Sequence, residues 1–491
     1  FTAADARQIA ALGFDVVRLG ILWQGLEPGR GGPNDPAVCT PGRPGNPHMY
    51  DASALRAYLA DVTRVVDLLG RSHVYTLLDM HQDVVNQGFG GEGWPDWALC
   101  TDGLPIVRLP GRWSRNYANP ALQVAVEHFW TNDVVGNLQG EYDRVWQAVA
   151  RTFRSNPWVV GYDPYNEPFG RAVVTSGDEV FASQLECFYT GRARAGRLGA
   201  EGTPVPGAGP PAGAPGGGLP VTGGSGETPA AGLPVRCPPG VPAVGLVPTI
   251  ERADPHHLVF VEPDIYSIRN RPNLLGSMDF PRLVLNFHSY CSERSPVTGD
   301  PTNVELCASQ QLNAMLRRLA ERPDMASRAQ PGGPAWFMSE FGATRNVDLM
   351  ARLTSYADLL QLGWAYWSWK YYDDPTGSSH EALASSTGQL EPTALVLART
   401  YAQAVAGTPV STTFDVDTGT FHLSYVPSAA ITAPTVVFVA RDRFPRGYCA
   451  SVSGGTIRSA PGSSHLVVAN QPGAPLVSVT VAAGRCRRSQ G

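Results

Sequence analysis

The stretch Gly161-Tyr-Asp-Pro-Tyr-Asn-Glu-Pro-Phe-Gly170 decides the fold of this 491-residue chain. The apolar residues 158–160 lead into it and predict a buried strand, which breaks at Asn166-Glu167-Pro168 with a carboxylate at the strand's carboxyl end. Residues 335–342, Ala-Trp-Phe-Met-Ser-Glu-Phe-Gly, repeat this design, with Glu340 at the strand end and Gly342 to turn the chain. If the two strands are parallel, both glutamates lie at the same edge of one sheet.

Apolar strands alternate with amphipathic helices along most of the chain. Residues 2–12 and 51–70 have helical spacing, with capping residues at their starts and Gly13 and Gly70 at their ends. Nearly continuous apolar strands between such helices indicate a parallel sheet covered on its outer face. Over roughly 400 residues this α/β pattern predicts a (β/α)8 TIM barrel. The predicted strands are residues 14–23, 73–81, 159–165, 258–262, 283–288, 335–340 and 363–369.

The first strand of the barrel is missing from this pattern. Seven strands are predicted, and the chain begins at what would be the first helix. We therefore expect the first strand to be absent from this sequence. The alternative is an open barrel of seven strands, which would expose two unpaired edges beside the site.

Two segments differ from the barrel pattern. Residues 193–248 are dominated by Gly, Pro and Ala and predict a flexible insertion, since such a composition buries too little apolar surface to offset its ordering entropy. After a final helix predicted at 392–406, apolar residues recur with period two, which predicts a small antiparallel β-sandwich. We therefore divide the chain into a barrel over residues 1–406 and a C-terminal sandwich over residues 407–491.

The composition describes a folded protein and excludes some partners. A net charge of −5 gives no reason to expect nucleic acid as a partner. No apolar run is long enough to cross a bilayer, and no signal peptide is present in this sequence. No cysteine or histidine cluster has the spacing of a metal site, so we expect neither a metal nor another cofactor.

The eight cysteines favour disulfides and therefore a secreted, extracellular protein. Eight unrelated free thiols are the alternative. The pairs Cys291–Cys307, Cys187–Cys237 and Cys449–Cys486 are plausible because each closes a local segment of the chain.

Side chains with chemical function gather at the predicted strand ends, which is where a barrel carries its active site. Two carboxyl groups at a fixed separation, here Glu167 and Glu340, are what glycoside hydrolysis needs. One donates a proton to the leaving oxygen, and the other attacks the anomeric carbon or activates water. The other groups at these ends are Arg18, Trp23, His81, Asp83, Asn166, Glu262, His288, Tyr290, Trp367 and Trp369.

Each of these groups also has a structural alternative. An isolated Arg18 is most simply an ion-pair partner, a lone His81 is a satisfied polar group, and Glu262 hydrogen-bonds its neighbours. Trp367 and Trp369 alternate along one strand, so one of them faces the site, and we expect it to be Trp367. Their shared position at one end of the sheet favours a common functional site.

The chain resembles glycoside hydrolase family five, the cellulase-like family. The resemblance covers the barrel and, more weakly, the last domain. The Asn-Glu-Pro motif is moderately specific by itself. The residues that carry the resemblance are Arg18, His81, Asn166-Glu167-Pro168, His288-x-Tyr290, Glu340 and a late Trp.

Within that family the chain is similar to the endoglycoceramidases, bacterial enzymes with a C-terminal β-sandwich. Three motifs carry this similarity, and Asp-Met-His-Gln-Asp combined with Asn-Glu-Pro is considerably more specific than either alone. The Gly/Pro-rich insertion and the absent first strand depart from the family pattern. The motifs are Asp79-Met-His-Gln-Asp83, Asp163-Pro-Tyr-Asn-Glu-Pro168 and Ser339-Glu-Phe-Gly342.

The resemblance implies a retaining mechanism without a cofactor. Glu340 would be the nucleophile and Glu167 the acid and base. Retention predicts carboxyl groups about 5–5.5 Å apart, and proximity to Glu340 would raise the pKa of Glu167. The supporting roles implied are Asn166 for the sugar 2-hydroxyl, Tyr290 and Arg18 for orienting Glu340, His81 and Asp83 for sugar hydroxyls, His288 as a further site residue and Trp367 for stacking under the sugar.

The resemblance also implies a glycosphingolipid substrate, cut between oligosaccharide and ceramide, with transient contact to a membrane or micelle surface. Phe89, Trp94, Trp97 and Trp113 would either line a ceramide groove or anchor their loop. The alternatives within the family are a single-sugar β-glycosylceramidase and an endo-β-glucanase. A non-catalytic carbohydrate- or lipid-binding protein on the same barrel is the alternative from a different class.

Overall fold

The computed structural model describes residues 1–29, 31–45, 51–170, 179–193, 236–265, 271–295, 299–372 and 380–484. Most of the predicted insertion lies outside these ranges. Its C-terminal end is described, and there the prediction is wrong, because a helix begins at Leu246. Leu246, Val247 and Ile250 bury one face of that helix against the barrel.

Seven parallel strands form the N-terminal sheet, and each pairs with the next one along the chain. Parallel strands joined through helices repeat the βαβ unit, and here the repeats curl into a nearly closed barrel. Among the described residues no ladder joins the first strand to the last. The predicted barrel is confirmed. Its strands are β1 (Val16–Ile21), β2 (Tyr75–Met80), β3 (Val159–Asp163), β4 (Leu258–Val261), β5 (Leu283–Ser289), β6 (Ala335–Gly342) and β7 (Gly363–Trp367).

Helices cover the outside of the barrel, and the first begins and ends as its sequence predicts. The Thr2 hydroxyl accepts the Asp5 N–H while the Asp5 carboxylate accepts the Thr2 N–H, and Gly13 ends the helix in the left-handed region. No helix of the described ranges is long and apolar enough to cross a membrane. The helices are α1 (Ala3–Leu12), α2 (Trp23–Leu26), α3 (Pro36–Cys39), α4 (Ala52–Gly70), α5 (Pro120–Thr131), α6 (Leu138–Phe153), α7 (Glu179–Thr190), α8 (Leu246–Ala253), α9 (Val304–Glu321), α10 (Val347–Leu360) and α11 (Pro392–Leu397).

A cluster of aromatic rings packs between α2, α5 and the loop after β2. Trp97 lies 5.3 Å from Trp23, centroid to centroid, and its indole N–H donates to the Glu27 carbonyl at 3.0 Å. Trp94 and Phe89 are also fully buried. The ceramide-groove interpretation is therefore wrong for these three loop residues, which anchor the loop to the core.

Three disulfides join described cysteines. Cys187–Cys237 and Cys291–Cys307 confirm two predicted pairs, and Cys39–Cys100, which the sequence did not predict, connects the loops after β1 and β2. The predicted Cys449–Cys486 pair lies outside the described residues because Cys486 is not among them.

The C-terminal region forms two four-stranded antiparallel sheets around their own apolar core, as predicted. The strands are β8 (Tyr401–Ala404), β9 (Gly407–Phe414), β10 (Phe421–Pro427), β11 (Thr435–Phe438), β12 (Tyr448–Ser453), β13 (Gly455–Ile457), β14 (His465–Asn470) and β15 (Val477–Ala483). One sheet has the order β12-β15-β10-β9 and the other β13-β14-β11-β8. The helix predicted at 392–406 is wrong beyond Leu397, because Tyr401–Ala404 pairs with the strand at Thr435–Phe438.

A buried arginine connects the two regions. Arg399 follows α11, pairs with Asp358 of α10 and donates to the Thr354 hydroxyl at 2.9 Å. Its guanidinium also lies 4.6 Å from the ring centroid of Phe414 in β9. Because one side chain contacts both a barrel helix and a sandwich strand, the sandwich packs directly against the barrel.

Candidate active site

A buried arginine lies beneath the carboxyl ends of the strands. Arg18 of β1 reaches Asp79 of β2 at 3.0 Å, Asp163 of β3 at 2.9 Å and Glu340 of β6 at 3.1 Å. It also donates to the Asn166 amide oxygen at 2.7 Å. Its side chain is 5% exposed, so these carboxylates compensate the cost of burying the guanidinium. Arg18 is therefore an ion-pair partner, and one of its partners is a predicted catalytic carboxylate.

Both carboxyl oxygens of Glu340 accept a hydrogen bond. Arg18 donates to Oε2 at 3.1 Å, and the Tyr290 hydroxyl donates to Oε1 at 2.5 Å. Burial raises the pKa of Glu340, and the nearby Arg18 guanidinium opposes that rise. The chain then turns at Gly342 with φ +98°, where a Cβ would lie 2.2 Å from the Tyr366 ring. These contacts fix the position of the Glu340 side chain.

Glu167 occupies the left-handed region with φ +45°, a conformation uncommon for a residue with a side chain. Two buried side chains hold its backbone there. The Gln82 amide donates to the carbonyls of Asn166 and Glu167 at 2.9 and 3.1 Å, and Glu262 Oε2 accepts the Glu167 N–H at 2.9 Å. The Glu167 side chain is thereby directed at Nδ1 of His288, 2.7 Å from Oε1.

Burial raises the pKa of Glu167 to about 7, with His81 and Arg18 opposing the rise. The raised pKa agrees with the expectation for a general acid. The cause differs from the one predicted, because removal from water rather than the charge of Glu340 dominates.

The two glutamates approach each other closely. One carboxylate oxygen of each lies within 4.8 Å of the other, with His288 Nδ1 3.7 Å from Glu340 Oε1. Retaining glycosidases have carboxyl groups about 5–5.5 Å apart, whereas inverting enzymes need about 6.5–9.5 Å to admit a water. The close approach of these two oxygens agrees with the shorter separation of a retaining pair.

His81 and Trp367 form a stacked pair at the side of the site. Their ring centroids are 5.0 Å apart and their planes differ by 7°. The His81 ring nitrogens lie 2.7 Å from Asp79 and 3.6 Å from Asp83. Burial opposes the imidazolium, but the two aspartates outweigh it and raise the pKa of His81 well above its usual value. Trp369, by contrast, packs against the apolar core, so Trp367 is the indole at the site.

Two groups of side chains have the spacing of metal ligands, namely His81, Asp83 and Glu92, and Glu167, His288 and Glu340. In the first group the neighbouring aspartates raise the pKa of His81, so a metal ion would have to displace a proton from this ring. In the second the hydrogen bond between His288 and Glu167 accounts for the close approach. Neither group is assigned as a metal site.

The structure brings together the two glutamates and the seven supporting residues predicted for the site, since each contacts at least one other. Trp23 and Trp369, which were also predicted at the strand ends, pack in the apolar core instead. The sequence analysis missed the buried groups beneath them, which occupy inward-facing strand positions or loop ends. A polar residue two positions before a predicted site residue, within an otherwise apolar strand, was the available signal for Asp79 and Asn286. The sequence analysis assigned no role to Asp79, Gln82 and Asp163, although they lie in the quoted motifs, nor to Asn286, and it gave Glu262 only local hydrogen bonds.

Comparison with known proteins agrees with the fold. Residues 2–189 match the family model of cellulases of glycosyl hydrolase family 5, and residues 399–481 match that of the glycoside hydrolase family 5 C-terminal domain. The barrel, the paired glutamates and both matches identify the chain as a retaining glycoside hydrolase of family 5.

Within this family the chain is similar to endoglycoceramidases. Endoglycoceramidase I of Rhodococcus hoagii (strain 103S) is 26% identical over 500 residues, covering 97% of this chain and 79% of the relative. The solved endo-glycoceramidase II from Rhodococcus sp. is 25% identical with a TM-score of 0.70, covering 99% of this chain and 93% of that one. That enzyme has also been solved as a ganglioside GM3 complex, which matches this chain at 24% identity and a TM-score of 0.70.

The pKa of Glu167 predicts how activity depends on pH. The general acid must be protonated in the free enzyme, so kcat/KM should fall about tenfold per pH unit above roughly pH 7. Initial rates on an aryl β-lactoside with a poor leaving group, measured between pH 5 and 9, check this expectation. A 2,4-dinitrophenyl lactoside leaves without protonation and should lack the alkaline limb. An equal alkaline limb on both substrates would show that another group controls it.

Proposed function

We propose that this enzyme hydrolyses the β-glycosidic bond between the oligosaccharide and the ceramide of glycosphingolipids. The observation that carries the proposal is the retaining pair Glu167 and Glu340 on a chain that aligns with an endoglycoceramidase over 97% of its length. The shared motifs around both glutamates support the same substrate class.

In the first step, the Glu340 carboxylate attacks the anomeric carbon while Glu167 transfers its proton to the glycosidic oxygen. Ceramide leaves, and the glycan remains as an ester on Glu340. In the second step, the Glu167 carboxylate takes a proton from water, which attacks the anomeric carbon and releases the oligosaccharide with its configuration retained.

The surrounding residues bind the sugar in this proposal. His81 and Asp83 face its hydroxyls, and the partly exposed Trp367 supplies an apolar surface for the pyranose. The Asn166 amide is engaged by Arg18 and by the Gln82 carbonyl, which leaves one Nδ2 hydrogen for the 2-hydroxyl.

A direct test is incubation with a ganglioside and with glucosylceramide, with both lipid and sugar products resolved by mass spectrometry. We expect intact oligosaccharide and free ceramide from the ganglioside, and loss of both products in Glu340→Gln. Free monosaccharide from glucosylceramide alone would instead identify a single-sugar β-glycosylceramidase. Cleavage of neither lipid by the folded protein would reject a ceramide-linked substrate and favour a glucan.

The same proposal includes transient contact with a membrane or micelle surface, because ceramide is presented there. Exposed apolar side chains in the loops after β2 and β7 support it, since these loops lie at the same end of the barrel as the site. They are Leu104, Val107 and Tyr372.

Substituting Leu104→Ser and Val107→Ser together should reduce hydrolysis of ganglioside in vesicles several-fold, since the apolar contact with the lipid surface is weakened. Hydrolysis of a soluble aryl lactoside by the same variant is the matched control and should be unaffected. A similar loss on both substrates would contradict a surface-docking role for this loop.

We further propose that the protein is secreted. The three disulfides between described cysteines support this proposal, because such bonds persist in oxidising compartments. Fractionation of the native producing cells should find the protein and its activity in the medium, and non-reducing peptide mapping should find the three bonds. Retention inside the cell with free thiols would reject the proposal.

A further inference from the structure

Glu262 is a third buried glutamate beside the catalytic pair. It directly follows β4 and is fully buried. Its Oε2 accepts the Glu167 N–H at 2.9 Å, and its Oε1 lies 3.4 Å from Nε2 of His288. Neither Oε1 nor Nε2 has a hydrogen-bond partner within the described part of the chain. Two buried polar atoms therefore face each other, and one of them must carry a hydrogen for a favourable contact.

His288 has a single N–H to share between its two glutamate neighbours. Burial lowers the pKa of His288 to about 3, so the ring is neutral. Its Nδ1 lies 2.7 Å from Glu167 Oε1. If Nδ1 carried only a lone pair, it would face a negative oxygen whenever Glu167 had given up its proton. A hydrogen on Nδ1 suits both states of Glu167, because it can donate to a carboxyl C=O or to a carboxylate.

With the hydrogen on Nδ1, Nε2 is an acceptor and its neighbour has to be a donor. A carboxylate cannot donate, whereas a carboxylic acid can. The Oε2 atom of Glu262 already accepts a backbone N–H, so the proton belongs on Oε1, the oxygen that faces Nε2.

We propose that Glu262 is a positioning residue held as a neutral carboxylic acid, whose Oε1–H donates to Nε2 of His288 and fixes the tautomer that donates from Nδ1 to Glu167. Glu167 Oε1 is then always an acceptor, and the catalytic proton is confined to Oε2. After the proton has passed to the leaving oxygen, the same Nδ1–H stabilises the Glu167 carboxylate that acts as the base.

The electrostatic surroundings keep Glu262 protonated. Burial raises the pKa of Glu262 well above its usual value, Asp163 and Glu167 raise it further, and Arg18 opposes the rise. The titratable and charged groups around Glu262, His288 and Glu167 are Arg18 of β1, Asp79 and His81 at β2, Asp163 of β3, Tyr189 of α7, Tyr290 after β5, Glu340 of β6 and Tyr117 of the loop before α5.

The tautomer can be observed without any substrate. In protein labelled with nitrogen-15 histidine, the His288 resonances are identified by their loss in His288→Gln. We expect Nδ1 protonated and Nε2 unprotonated from pH 5 to 8, and a population with protonated Nε2 in Glu262→Met, which has no donor to offer. A protonated Nε2 in the unaltered protein would overturn the proposal.

Kinetics separate positioning from mere packing. Glu262→Gln retains both hydrogen bonds, since its amide oxygen can accept the Glu167 N–H and its NH2 group can donate to Nε2 of His288. Glu262→Met loses both hydrogen bonds. With a phenyl lactoside, kcat/KM should fall about 10²-fold in the Met variant, the order of a general-acid contribution. The kcat/KM of the Gln variant should be at least about tenfold higher than that of the Met variant.

A 2,4-dinitrophenyl lactoside supplies the control, because its departure needs no proton and kcat/KM reports the first chemical step. The Met variant should lose far less on this substrate. Equal losses on both leaving groups, or a Gln variant as impaired as the Met variant, would overturn the proposal. The inference rests on the acid–base mechanism and not on ceramide as the aglycone, so soluble lactosides and the resonances test it separately from the proposed substrate.

Discussion

The buried guanidinium of Arg18 is the interaction on which the site depends. It joins four strands of the barrel through Asp79, Asp163, Asn166 and Glu340. Without this cation the three carboxyl groups would share one water-free space, where like charges force at least one of them to take up a proton. The compensation at Asp163 is incomplete, because burial raises the pKa of Asp163 to about 7 although the charge of Arg18 opposes the rise. The arginine therefore opposes the rise in pKa that burial causes at Asp163 and Glu340.

This placement makes two chemically identical side chains differ in function. Glu340 accepts from a guanidinium and a phenol, which favour its charged form and suit a nucleophile. Glu167 Oε1 lies 2.7 Å from Nδ1 of a neutral imidazole, and no cation is in hydrogen-bonding contact with buried Glu167 among the described residues, which favours retention of its proton. The two glutamates differ because their partners lie on different strands. The roles proposed for them therefore depend on how the barrel brings those strands together.

The strand ends could be predicted from the sequence because each is marked by an apolar run that breaks at a polar residue. The contacts of the buried polar residues beneath the strand ends could not be predicted. Asp163 and Asn286 lie within apolar strands, and they contact their partners only when β1, β3 and β5 are brought together. The role of the loop tryptophans stayed open because a loop has no periodicity to separate buried from exposed residues. The end of the helix predicted at 392–406 failed for another reason, since pairing with β11 overrides the local helical preference of Tyr401–Ala404. Cys39 and Cys100, 61 residues apart, are joined only by the tertiary fold.

The backbone of Glu167 links the fold to the chemistry most directly. A left-handed glutamate costs conformational energy, and it persists because Gln82 and Glu262 bind its carbonyl and its N–H from neighbouring strand ends. The same Glu262 side chain that holds this N–H also faces His288, the partner of the Glu167 carboxyl group. Backbone position and side-chain orientation of the general acid are therefore controlled from one buried residue. These two contacts explain why a carboxyl group that does not reach the substrate occupies the end of β4, although burying an apolar side chain there would cost less free energy.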